Sequence, residues 1–175
     1  MKDPLGVCFI DTETTGTDPR VHEVWDIGLI VDGVEYEYHV RPKKPAAADS
    51  TALRIGRFYL RSGRTDWRWS DPSAVATFVA ALTADRFLVG IVPSFDAEFL
   101  RAFLVANGQA PAWHYQLIDA EVLAAGRCAA PPPWNTDLIA RVCEVPPQPD
   151  DERHTAIGDA RFAKALYEAA LRQDP

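Results

Sequence analysis

The chain reads as one α/β domain over residues 1–175, a mixed sheet with helices on its faces. Three observations carry that expectation. Apolar, strand-length runs occur at residues 5–10, 24–31 and 87–92. An Asp32-Gly33 pair joins the second run to an alternating stretch at 34–41, the signature of a tight hairpin. From residue 71 onward helical patterns alternate with short strands, giving the order β-β-β-α-β-α-β-α-α.

Residues 5–10 form the first strand, which delivers the chain to Asp11 and Glu13 and turns at Thr14-Thr15-Gly16. After the hairpin, residues 46–70 are a variable connection with room for a short helix. Asp71-Pro72 pairs a cap with a first-turn proline and opens a helix to about residue 84. The strand at 87–92 leads into a helix that stops near Asn107-Gly108. Residues 114–118 are the last strand. Asn135 or Thr136 caps a helix to about Cys143, and a final helix follows His154. Two proline-rich stretches, at 131–133 and 146–149, punctuate the last third; the second leads into His154 as a surface loop or a flap.

Composition sets outer bounds. With 175 residues, nearly half of them hydrophobic and a quarter charged, the chain suits one globular domain with a substantial core. No apolar run approaches the ~20 residues needed to span a bilayer, and the N-terminal stretch shows no secretory pattern. Cys8, Cys128 and Cys143 are odd in number and lack metal-ligand spacing. Reduced thiols and a cytoplasmic location are therefore expected. The net charge of −7 argues against broad, charge-driven binding to duplex nucleic acid. A grip on a few terminal nucleotides is compatible with it.

Four acids carry the chemistry. Side chains at i and i+2 of a strand share a face, so Asp11 and Glu13 project together from the end of the first strand. Adjacent carboxylates repel each other unless something positive lies between them, and hard cations such as Mg²⁺ or Mn²⁺ take oxygen ligands. Asp96 heads a helical stripe that continues through Leu100, Phe103 and Asn107, and Asp159 heads another through Ala163, Leu166 and Ala170. Acids in a first turn normally face solvent, whereas these two share a face with core residues. His154 lies five residues before Asp159, off its helical face, where it can act as a general base beside a metal held by Asp159. His22, His39 and His114 carry no such context.

The strings Asp11-Thr12-Glu13-Thr14-Thr15-Gly16, Ser94-Phe95-Asp96-x-x-Phe99-Leu100 and His154-x-Ala156-x-x-Asp159-Ala160 together resemble the three motifs of the DEDDh, or DnaQ-like, 3′→5′ exonucleases. The match runs from about residue 5 to 172. A sister branch places Tyr four residues before the last Asp; Thr155 stands there, which favours the His branch. One departure is present: many relatives carry His-Asn before the second motif, where this chain has Ile91-Val92.

The resemblance implies a ribonuclease H-like fold with a central five-stranded sheet, and two divalent cations, Mg²⁺ or Mn²⁺. Asp11 would bridge both ions, Glu13 and Asp159 would complete one site, and Asp96 would help hold the second. His154 would take a proton from the attacking water. Backbone amides of Thr14, Thr15 and Gly16 would approach the terminal nucleotide. The partners implied are 3′ ends of single-stranded or frayed DNA or RNA, with association with a DNA polymerase admitted and no membrane. No motif speaks to oligomeric state.

Arg54, Arg57, Arg61, Arg64 and Arg68 recur at steps of three and four. If helical, they line one face, and Arg54, Arg57 and Arg61 are candidate phosphate contacts; Gly63 argues against one continuous helix. Trp67 and Trp69 could stack bases or pack on their own domain. The rival functional readings are a catalytically idle ribonuclease H-like module that binds nucleic acid or a polymerase, and an endonuclease of the ribonuclease H type. All four acids and the His are present, which favours an enzyme.

Overall fold

In a computed structural model, which describes residues 5–172, β1 (Val7–Thr14) lies at the centre of a five-stranded sheet. β2 (Val24–Val31) and β3 (Val34–His39) follow it as an antiparallel meander, while β4 (Phe87–Gly90) and β5 (Ile118–Asp119) add in parallel on its other side. The order across the sheet is β3-β2-β1-β4-β5. β2 is buried along its whole length because a helical layer covers each face.

Alternation along β1 divides those faces. Cys8 and Ile10 join Leu88 from β4 and Ile27, Leu29 and Val31 from β2 in one core, closed by α3 (Pro72–Thr83) and α4 (Pro93–Ala106). Phe9, Ile30 and Val89 point the other way, against α5 (Ala120–Arg127), α6 (Thr136–Val142) and α7 (Ala156–Leu171). Each helix of these layers except α4 has a side-chain cap: Asp71 accepts from Ser73 and Ala74, Asp119 from Val122, Asn135 from Leu138, and Thr155 from Gly158.

Three expectations need correction. α5 was not foreseen: residue 119 ends a strand and caps a helix at once, leaving no polar break between the two. The strand expected at 114–118 is reduced to Ile118–Asp119. Before it, the chain makes single backbone bonds from Asp85 to Ala112 and from His114 to Arg86, outside the ladder. The connection after β3 folds as a 3-10 turn at Pro45–Ala47 and two short helices, α1 (Ser50–Ile55) and α2 (Phe58–Ser62). Arg57 sits between them with a left-handed φ of 54°, which breaks the helix, so the arginine row does not share one face.

Among the described residues no helix is long and apolar enough to cross a membrane.

Candidate active site

β1 continues past its apolar half, so Asp11 and Glu13 project from the same face as Phe9, toward α7. Their partners across the ladder are Gly28 and Asp26 of β2. Gly28 is required here by a close approach: a Cβ on it would stand 2.3 Å from the carbonyl carbon and oxygen of Ala156, in the first turn of α7. The absent side chain seats that turn directly on the sheet opposite Asp11. Asp159 lies one turn further along α7, and its stripe of Ala163, Leu166 and Ala170 is buried as the spacing predicts.

Thr12 points to the opposite face and reaches the second helical acid. Its hydroxyl donates to Asp96 Oδ1 at 2.7 Å. Asp96 is 2% exposed, in the first turn of α4. The turn that precedes it is strained, because Val92 adopts a left-handed φ of 54°. Asn enters that region readily and a β-branched residue rarely does, so Val92 holds this turn at a conformational cost.

Thus segments near residues 11, 96 and 159 converge at the C-terminal end of β1. Asp11, Glu13 and Asp159 remain partly open to solvent, so the cluster has a mouth. Burial, then the charges of Asp96, Asp159 and Glu13, hold the Asp11 carboxyl well above its ordinary range. Burial pushes Glu13 up to about 8, reinforced by Asp159 and Asp26 and opposed by Arg61. Asp96 is pushed up to about 7 by burial against the pull of its bond from Thr12. Burial raises Asp159 too, while a bond from Gln148 and the nearby His154 draw it back.

His154 is exposed, with a left-handed φ of 59°. One ligand atom each from Glu13, His154 and Asp159 fall within 4.8 Å of one another. That spacing is close enough for a single ion to touch all three, beyond the role of base expected from position alone. Gln148, from the proline-rich loop, donates to Asp159 Oδ1 at 2.5 Å and to the Glu152 carbonyl at 3.2 Å.

The arginines expected to meet phosphate are distributed differently. Arg57 Nη2 donates to the carbonyls of Asp151 and Arg153, strapping the His154 turn. Arg61 is buried; its Nη2 donates to Asp26 Oδ2 at 2.5 Å, and it lies over the rings of Trp25 and Trp67. The same Asp26 oxygen accepts from the amide of Ala156. Arg54 stays exposed in the last turn of α1. α1 also ends against the site, since a Cβ at Gly56 would stand 2.7 Å from Glu13 Oε2.

In the Thr14-Thr15-Gly16 turn, the Thr14 hydroxyl donates to the Gly16 carbonyl at 2.6 Å. The Thr15 amide is spent on Glu23, its hydroxyl accepts from the Glu23 amide, and its carbonyl accepts from the Asp49 amide. The Thr15 amide is therefore already engaged within the protein.

Thr12, Asp26 and Gln148 are the contacts that sequence reasoning missed. Strand alternation places Thr12 opposite Asp11 and could have flagged it. An acid inside the apolar run of β2 could have flagged Asp26. Gln148, in an aperiodic loop, left no signal.

No protein-family model matches the chain, and no curated protein matches it. Among solved structures it is similar to Escherichia coli exonuclease I in a zinc-bound complex with single-stranded DNA, at 19% identity and a TM-score of 0.71, covering 94% of this chain and 39% of that one. It is similar to the same enzyme with a dT13 oligonucleotide, at 18% identity and 0.70, covering 94% and 40%. A further exonuclease I structure gives 19% and 0.74, covering 95% and 41%. The chain spans about two fifths of the length of these neighbours. At such identities the likeness is one of fold, and the fold is the ribonuclease H-like one, a mixed five-stranded sheet flanked by helices.

Proposed function

We propose that this chain is a metal-dependent 3′→5′ exonuclease that hydrolyses phosphodiester bonds at the ends of single-stranded or frayed DNA or RNA, releasing nucleoside monophosphates. The observation that carries the reading is the convergence of Asp11, Glu13, Asp96 and Asp159, from three distant segments, with His154 at the rim. Burial raises the pKa of every acid in that group, and neighbouring carboxylates add to the rise for Asp11, Glu13 and Asp96. The fold is shared with exonuclease I, whose structures include single-stranded DNA complexes and a zinc-bound form, and this supports both substrate class and cation.

The residues fit two divalent cations. The acids offer oxygen donors of the kind Mg²⁺ and Mn²⁺ prefer, and Arg61, which acts on Glu13, spends its hydrogen bonds on Asp26 and the His154 carbonyl. Asp11, Glu13 and Asp159 would hold one ion, and Asp11 with Asp96 the other. When bound, the pair supplies charge neutralisation at the phosphoryl oxygens, a more acidic water and a stabilised leaving 3′ oxygen. The chain's own side chains do the rest. Thr12 fixes the orientation of Asp96, and Gln148 fixes that of Asp159. His154, open to solvent, accepts the proton of the attacking water on its imidazole. A polymerase delivering frayed ends would be a compatible partner, and a cytoplasmic site of action suits the free thiols.

Incubation with 5′-labelled DNA and RNA oligonucleotides in Mg²⁺, Mn²⁺ or chelator tests the reading. Stepwise shortening from the 3′ end, mononucleotide products and silence in chelator are expected. Internal fragments would assign an endonuclease, and intact strands in every metal would leave a binding module.

A further inference from the structure

Nearly every cation among the described residues is engaged. Among the described residues, Lys43, Lys44 and Arg54 are the lysines and arginines without a side-chain hydrogen bond, ion pair or ring contact. All three lie on the segment after β3, and Arg41, a few residues earlier, is engaged only over the ring of Trp69. A net charge of −7 would scatter or pair its cations; here they gather on one stretch.

That stretch is tied to the candidate active site. Oε2 of Glu23 accepts the backbone amides of Lys43 and Lys44, at 2.9 and 2.7 Å. Glu23 also bonds through its main chain to Thr15, two residues beyond Glu13. Glu23 Oε2 is therefore spent on main-chain amides, and both lysines stay exposed. Between this rim and α4 runs a groove of about 160 Å³, lined by His22, Arg41, Lys43, Lys44, Phe99 and Phe103 among others. It follows α4 from Phe99 to Asn107, about 12 Å at the helical rise, and that same helix carries Asp96 in its first turn.

We infer that this groove is a backbone track for single-stranded nucleic acid, holding the phosphates 5′ to the nucleotide being cleaved on Arg41, Lys43 and Lys44. The inference rests on the exonuclease reading and extends it: the substrate is a strand of several nucleotides, and its grip lies on the loop after β3 rather than on Arg57 and Arg61. Free cations along a groove walled by the helix that carries Asp96 fit a polyanion whose reacting phosphate needs metal and whose remaining phosphates do not.

The test is the Lys43→Glu/Lys44→Glu variant, whose replaced side chains are exposed and without partners, so an unchanged melting temperature is expected. Hydrolysis of a single-stranded decamer and of a dinucleotide is compared across salt concentration. The decamer should lose roughly tenfold in kcat/KM at low salt, several-fold more than the dinucleotide, and its salt slope should flatten by about 0.7 per lost contact. An equal loss on both lengths, or an unchanged slope, overturns the track. If the wild-type protein cleaves neither substrate, the exonuclease reading fails by itself. Fluorescence anisotropy with a labelled decamer then decides the track separately: weaker, less salt-dependent binding by the variant upholds it, and equal binding overturns it.

Discussion

Glu13 and Asp26 face each other across the β1–β2 ladder, on the same side of the sheet, and the protein treats them in opposite ways. Asp26 is fully buried and is given a counterion: Arg61 donates to it, the Ala156 amide adds a second bond, and His39 Nε2 lies 3.6 Å from its other oxygen. Burial still raises its pKa, and Arg61 is the foremost influence pulling it back. Glu13 is surrounded by Asp11, Asp159 and Asp96, and the pull of Arg61 ranks behind two repelling acids. The difference separates two uses of a buried acid. One is a structural tie whose counterion, Arg61, the chain itself supplies; the other is left for charge to arrive from outside.

The comparison breaks most visibly at Asp11. Asp11→Asn should lower hydrolysis to below about 1% of wild type, while the metal-free protein melts no lower, since one repelling charge is gone. Retained turnover in a purified, folded variant would end the metal assignment. His154→Ala should cost roughly 10²–10⁴ in rate, the range for loss of a general base, and leave most of the thermal stabilisation by Mn²⁺ in place. Loss of that stabilisation would instead make His154 a ligand. On the other side of the ladder the currency is stability. Arg61→Ala strands Asp26 without its cation and should cost about 3–5 kcal/mol, read by urea unfolding. A combined Asp26→Leu/Arg61→Met change should recover most of it, because a buried pair can be replaced by apolar groups of similar volume.

The smallest effect is a pH dependence. An acid with a raised folded pKa keeps its proton in the native state after the unfolded chain has lost it, so stability falls as pH rises between the two values. For metal-free protein that window runs from the ordinary carboxylate range up to about 7 for Asp96 and about 8 for Glu13. The melting temperature should therefore decline from pH 5 to 8, and the increment from Mn²⁺ should grow over the same interval. Glu13→Gln should remove part of the decline; a profile identical to wild type would show that Glu13 is not among its causes.

Much of this was legible because periodicity reports direction. The i, i+2 spacing of Asp11 and Glu13 and the stripes behind Asp96 and Asp159 told which way four acids point, and the structure brings those segments together. Capping residues located α3 and α6 for the same local reason. What was hidden is tertiary. Nothing local marks Arg61 as buried, because its partner is Asp26, distant in sequence, and nothing in the loop around residue 148 marks Gln148 as a neighbour of Asp159. α5 escaped because Asp119 serves strand and helix together.

Gly28 has no chemistry to offer, yet its missing side chain is what lets the first turn of α7 rest on the sheet across from Asp11. Any larger residue must lift that turn, and Asp159 and His154 travel with it. A mutational scan scored on activity alone would therefore rank Gly28 beside the acids themselves. A scan scored on stability and activity together would separate them, because losing an acid's charge leaves the protein folded while filling Gly28 disturbs both. Tolerance to substitution around this site is set as much by where a methyl group cannot fit as by where a carboxylate must be.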